Sequence, residues 1–230
     1  VDYFLGYTVE KTKFGPMGKK IMQQVPIFDF HVLWHHLTWV YKLATITLSF
    51  IVVSSITSEF LERTIRQNII DGLSRTEFLI SKLFTVFGIA TFVTLAVFVV
   101  GLFTGMAWSK TQGIDAVFGQ IHYLGYYFLY VTAFLLFAFS LALLVKKSGT
   151  AIGLLMFYLF LIEPIITSII TYGFKMEWLS NLFPMNGTSN LIRNPFAKYL
   201  LKENHEQLSR TAMIVAAGYI SLYISFAWYM

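Results

Sequence analysis

The chain has 230 residues, of which 57% are hydrophobic, 18% aromatic and 13% charged, with a formal net charge of +5 and no cysteine. A mean hydropathy of +0.66 and a charged share far below the roughly 25% of soluble domains exclude a soluble globular protein, and the missing cysteines exclude disulfides, thiolate metal sites and a thiol nucleophile. The lysines and arginines are scattered around apolar runs without a continuous basic patch, which argues against nucleic acid and for membrane lipid as the partner of the positive charge.

An apolar run of about 20 residues crosses a bilayer as a helix, and five such runs are present, so the sequence predicts an all-α integral membrane protein. Residues 1–30 carry Lys11, Lys13, Lys19 and Lys20 with Gly6, Gly15 and Pro16 as breakers, and read as an irregular surface segment. They lack the basic start and apolar core of a cleavable signal peptide. The first run, 32–56, opens on Trp34, Trp39 and Tyr41, the aromatic belt of a headgroup boundary. The second, 83–108, closes on Gly101, Gly105 and Trp108. The third, 121–145, starts with Tyr123, Tyr126, Tyr127 and Tyr130 and stops at Lys146-Lys147, a tight turn that makes the fourth run, 150–172, antiparallel to it. Residues 174–210 are polar with small apolar groups, and predict short helices on or dipping into the interface. The fifth run is 212–230.

Between the first two runs, residues 56–82 alternate Glu59, Glu62, Asp71 and Glu77 with Arg63, Arg66, Arg75 and Lys82, while Leu61, Ile65, Ile69 and Leu73 recur every fourth residue. This is the pattern of an amphipathic helix. Glu62 and Arg66 can pair at i,i+4, Asp71-Gly72 breaks the helix, and Ser74 with Glu77 forms a capping box ahead of a span expected to start near Leu83. The charge pattern alone also fits a solvated loop.

The run Glu59, Thr64, Arg66-Gln67, Ile70-Asp71-Gly72, Ser74-Arg75, Phe78 and Lys82 resembles the cytoplasmic segment of bacterial ABC type-2 permeases, the membrane subunits of one class of ATP-driven exporters. The resemblance implies one permease domain over 1–230, with six spans of which the first is absent here. Residues 1–30 and 174–210 would then be external, and 58–82 would be a cytoplasmic coupling segment docking on a separate ATPase subunit. Glu59, Glu62, Arg66, Asp71, Gly72, Ser74, Arg75 and Lys82 become the implied contact residues. It also implies a homodimer or heterodimer of permease subunits in the bacterial inner membrane, with ATP and Mg bound by the partner, and none by this chain. The sequence has no GxxxxGK[ST] phosphate loop of its own. Loop charge points the other way: six Lys and Arg lie on the side of 58–82 and ten on the opposite side, so charge alone favours the inverted orientation.

Within the spans Glu163 is the acidic residue, next to Pro164, which should kink its helix. A charge there needs a protein or water partner. Lys42 falls in the same half of the membrane, so a Lys42 to Glu163 contact is expected; the alternative leaves Glu163 neutral and hydrogen-bonded while Lys42 snorkels to the headgroups. His31 and His35 have i,i+4 spacing but no third ligand nearby, and read as interfacial polar groups. The tyrosines at 123–130 either line a route for an amphiphile or serve as packing. A non-transporting membrane scaffold anchoring a peripheral complex is the rival to the exporter reading. An intramembrane enzyme is disfavoured because no Ser-His, paired-Asp or metal set accompanies Glu163.

Overall fold

The computed structural model describes residues 29–62, 72, 74–109, 113–195 and 210–229. The described residues form helices and connecting turns with no strand. Five helices are long and apolar enough to cross a membrane, which makes this an all-α, multi-pass membrane protein. In chain order the elements are α1 (Phe30–Leu61), α2 (Arg75–Trp108), α3 (Ile114–Phe118), α4 (His122–Val145), α5 (Ser148–Gly173), α6 (Glu177–Ser180), α7 (Pro184–Ser189) and α8 (Arg210–Tyr229).

The spans alternate in direction, which separates a loop side, carrying residues 62, 72, 74 and 146–147, from a cap side, carrying residues 109, 113–121 and 174–195. α4 is the central helix. It packs against α1 along much of its length and also against α2, α5 and α8, and 67% of its apolar window is buried against 11% for α5. Its alanines at 133, 138 and 142 are fully buried, and such small residues let neighbouring helices approach closely where lipid offers no hydrophobic drive to associate. The α1 and α2 interface uses the same device. Gly101 and Gly105, one turn apart on α2, lie directly under the rings of Trp34 and Phe30, so that a Cβ at either position would overlap them. Trp34 also stacks on Phe98 with centroids 5.7 Å apart and donates its indole N–H to the Val117 carbonyl at 2.7 Å.

Two boundaries differ from the sequence expectation. α1 runs through Ile56 to Leu61, and the capped helix at Ser74 continues unbroken into the span expected at Leu83, giving helices of 32 and 34 residues. At about 1.5 Å per residue each is about 50 Å long, well beyond the roughly 30 Å hydrocarbon core. The polar ends stay helical because their side chains are satisfied. The predicted capping box is present: Glu77 N–H donates to Ser74 Oγ at 3.2 Å, and Ser74 N–H donates to Glu77 Oε2 at 2.8 Å. Gly72 takes a left-handed φ of +100°, the conformation that suits the expected turn. The amphipathic helix proposed for this segment, with the Glu62 to Arg66 pair, Arg66 and Asp71, lies outside the described residues, as does nearly all of the segment 1–30.

Candidate functional site

The loop side is closed by an ion pair across two helices. Glu59, in the last turn of α1, accepts from Lys82, in the second turn of α2. It is the one ion pair among the described residues. The Lys82 ammonium also lies over the Phe78 ring at 5.6 Å, and Lys146, in a left-handed turn after α4, lies over Phe60 at 5.4 Å. These contacts join α1, α2 and the end of α4. Of the remaining sequence candidates here, Glu62 closes the C-terminus of α1 with its N–H on Ser58 O. Ser74 caps α2, and Arg75 begins it.

On the cap side the chain dips back between the spans. Lys42 lies twelve residues into α1 and Glu163 ten residues before the end of α5, so both sit about 15–18 Å inside the cap-side ends of their helices. The expected contact between them does not form. Each instead holds one end of the short helix α7. Glu163 Oε1 accepts from Met185 N at 2.8 Å and Asn186 N at 2.6 Å, at the N-terminus of α7. Lys42 Nζ donates to Ser189 O at 3.1 Å, Ser189 Oγ at 2.6 Å and Ile192 O at 3.0 Å, at its C-terminus. A carboxylate at the amide end and an ammonium at the carbonyl end is the arrangement the helix dipole favours. It also satisfies backbone groups that would otherwise be orphaned at membrane depth, where irregular chain survives only buried in protein or lining a cavity.

The helix that carries Glu163 is built for this role. Two wide turns, Tyr158–Ile162 and Ile169–Gly173, flank the α-helical stretch Glu163–Ser168, with Glu163 N–H bonded to Tyr158 O. Pro164 cannot donate and crowds the preceding turn, and the wide turn takes up that misfit. The kink expected at Pro164 is thus expressed as a change of helical pitch. Lys42 lies over the Tyr130 ring at 5.0 Å, and Tyr127 donates to Tyr41 O at 3.1 Å. Tyr123 and Tyr127 are buried in the packing, while Tyr130 is buried and lines the cleft between α1 and α5.

His35 stacks on Tyr123 with centroids 4.3 Å apart and donates from Nε2 to the Arg193 carbonyl at 2.9 Å. His36 donates from Nδ1 to Val32 O, and His31 is exposed. Tyr219 of α8 donates to Leu182 O at 2.7 Å. The segment 177–195 is therefore fastened to α1, α5 and α8. Sequence reasoning missed α7 as the partner of both intramembrane charges. The available signal was Phe183-Pro184, since proline at the first helical position marks a helix start.

Between α1 and α5 lies a cleft of about 460 Å³ lined by Lys42, Glu163, Leu43, Phe134 and Phe160. A second cleft of about 350 Å³ on the cap side is lined by Glu177, Arg193, Thr171 and Asn181. Thr167 and Asn186 line both.

Fold and site together define a multi-pass helical membrane protein with a charge-clamped short helix inserted between its spans. The chain belongs to the family described as Protein of unknown function (DUF2705), whose model matches residues 19–230. That finding corrects the resemblance drawn from residues 56–82, because the family that matches is not the ABC type-2 permeases. The residues that carried the resemblance have local roles in this chain: Ser74 caps a helix, and Glu59 and Lys82 form an interhelical pair. No curated protein and no solved structure matches the chain.

Proposed function

We propose that this protein is the membrane-spanning permease subunit of an ATP-driven exporter, with ATP hydrolysed by a separate subunit that engages the segment between α1 and α2. The observation that carries this reading is that α1 bears both ends of a lever. Its loop-side end is fixed to α2 through Glu59 and Lys82, and its cap-side half holds Lys42 against α7 and the cleft. A helix is stiff along its length, so force applied at residues 62–74 reaches Lys42 with little loss. The opposing wall carries the two wide turns of α5, a feature found frequently at functional sites.

In this reading the loop side faces the cytoplasm of a bacterium, the membrane is its cytoplasmic membrane, and two permease subunits complete the complex. The test is gentle purification of the native protein, followed by mass spectrometry and an ATPase assay on what accompanies it. A stoichiometric ATP-hydrolysing subunit, lost when Arg66 and Arg75 are both changed to Glu, is the expected result. Recovery of the chain alone, or with partners that bind no nucleotide, overturns it in favour of a membrane scaffold.

A further inference from the structure

The two cap-side clefts are chemically different and adjacent, sharing Thr167 and Asn186 in their walls. The first opens sideways between α1 and α5 past Leu43 and Phe160, which are 70% and 62% exposed, so its mouth meets lipid. Its lining is mostly apolar, with the polar side chains Thr167, Asn186 and Ser189 at its α5 and α7 edge and with Lys42 and Glu163 holding α7. The second lies further out, is lined by hydroxyl and amide side chains, and carries one acidic group, Glu177, and one basic group, Arg193. The backbone of Arg193 is pinned by His35, which fixes where its side chain starts. Thr167 and Asn186 form the boundary shared by both. Volumes of 460 and 350 Å³ fall in the range of roughly 300 to 1,000 Å³ typical of small-molecule sites.

The geometry points to a binding site for a single zwitterionic amphiphile of the phospholipid class, entering sideways from the bilayer, with a hydrocarbon chain in the inner cleft and its headgroup in the outer one. Arg193 presents a planar fork suited to a phosphate, and Glu177 matches an ammonium. The serines, threonines and asparagines around them satisfy ester and hydroxyl groups. A free headgroup lacks the chain that the inner cleft takes, and a plain hydrocarbon leaves the outer cleft unpaired. This inference deepens the transport reading by naming the cargo class, and it rests on that reading only for calling the ligand cargo.

The test is made on the full chain alone, so that a failure of ATPase coupling does not affect it. The protein is placed in nanodiscs of an uncharged, non-phospholipid amphiphile containing a trace of phosphatidylethanolamine with a photoreactive group in one acyl chain. Crosslinks are mapped by mass spectrometry. The expected result is labelling at Leu43, Leu159 and Phe160 about tenfold above that at Phe92 and Phe103, which are exposed on the lipid face of α2 and report bulk contact. That enrichment corresponds to about 1.4 kcal/mol. It should fall to the bulk level in Glu177→Gln with Arg193→Gln, side chains at the surface or half-buried that carry none of the packing. It should also fall with Leu43→Trp, which narrows the mouth, and with a diacylglycerol probe bearing the same chain. Equal labelling at both faces, enrichment indifferent to the headgroup, or crosslinks from Leu43 to a second copy of the chain would each overturn the proposal.

Discussion

Replacing Glu163 by Ala should release the N-terminus of α7 while leaving the spans in place. The side chain accepts two backbone amides, at 2.8 and 2.6 Å, with a single oxygen. Hydrogen bonds to charged groups contribute about 1.5–3 kcal/mol each in soluble proteins, and measured values within membranes run lower, so about 1.5 kcal/mol per bond is the appropriate figure. Losing both costs about 3 kcal/mol locally, about a hundredfold in the opening equilibrium. Hydrogen exchange read at Met185 and Asn186 should therefore accelerate about a hundredfold, with α4 unaffected. Glu163→Gln keeps an oxygen acceptor and loses only the charge, so its acceleration should be about tenfold or less. Lys42→Met should act at the other end, on the residues around Ser189 and Ile192. Because both side chains hold one six-residue helix, the double variant should cost less than the sum of the singles by about 1 kcal/mol. Unchanged exchange in Glu163→Ala, or strict additivity in the double variant, would refute the clamp.

Three further outcomes follow from the packing and the topology. Gly101→Leu drives a side chain into the Trp34 ring and should destabilise the protein by about 3 kcal/mol or more, as overpacking of a tight core does, read as a lowered unfolding midpoint in detergent; Gly88→Leu, with open space at that position, should be near neutral. Exchanging the charges of Glu59 and Lys82 together should recover most of what either single reversal loses, with a coupling of about 1 kcal/mol or more for this partly buried pair, measured by a double-mutant cycle on stability. A single cysteine at Trp178 should react with an impermeant thiol reagent added outside intact cells, and one at Gly149 should not; the reverse pattern would place residues 62–74 outside the cell and remove ATP from their reach.

The five spans were legible in the sequence because a bilayer imposes a length and polarity rule that apolar runs reveal directly. The capping box was legible for a similar reason, since Ser74 and Glu77 are neighbours and need no tertiary partner. Helix ends were not. Ser58–Leu61 and Arg75–Lys82 read as helix by their charge pattern, but hydropathy sets them apart from the spans, whereas they are continuous with α1 and α2 and Glu59 and Lys82 satisfy each other across the gap. The partners of Lys42 and Glu163 were hidden for a different reason. Backbone amides and carbonyls carry no residue signature, and those of α7 and the turn after it lie 22 to 150 positions away. Pairing the two charges with each other was the natural expectation from side chains alone, and the structure places a helix between them.

A direct distance measurement tests whether force at the loop between α1 and α2 changes the cleft between α1 and α5. The chain has no cysteine, so spin labels can be placed singly at Leu43 and Phe160 on either side of the cleft mouth, where both side chains are exposed. Pulsed electron resonance on the native complex would be compared without nucleotide and with ATP trapped by vanadate. The distance distribution should shift between the two states, and Glu59→Ala with Lys82→Ala should abolish the shift. A distribution indifferent to nucleotide, in a complex that hydrolyses ATP, would contradict that coupling.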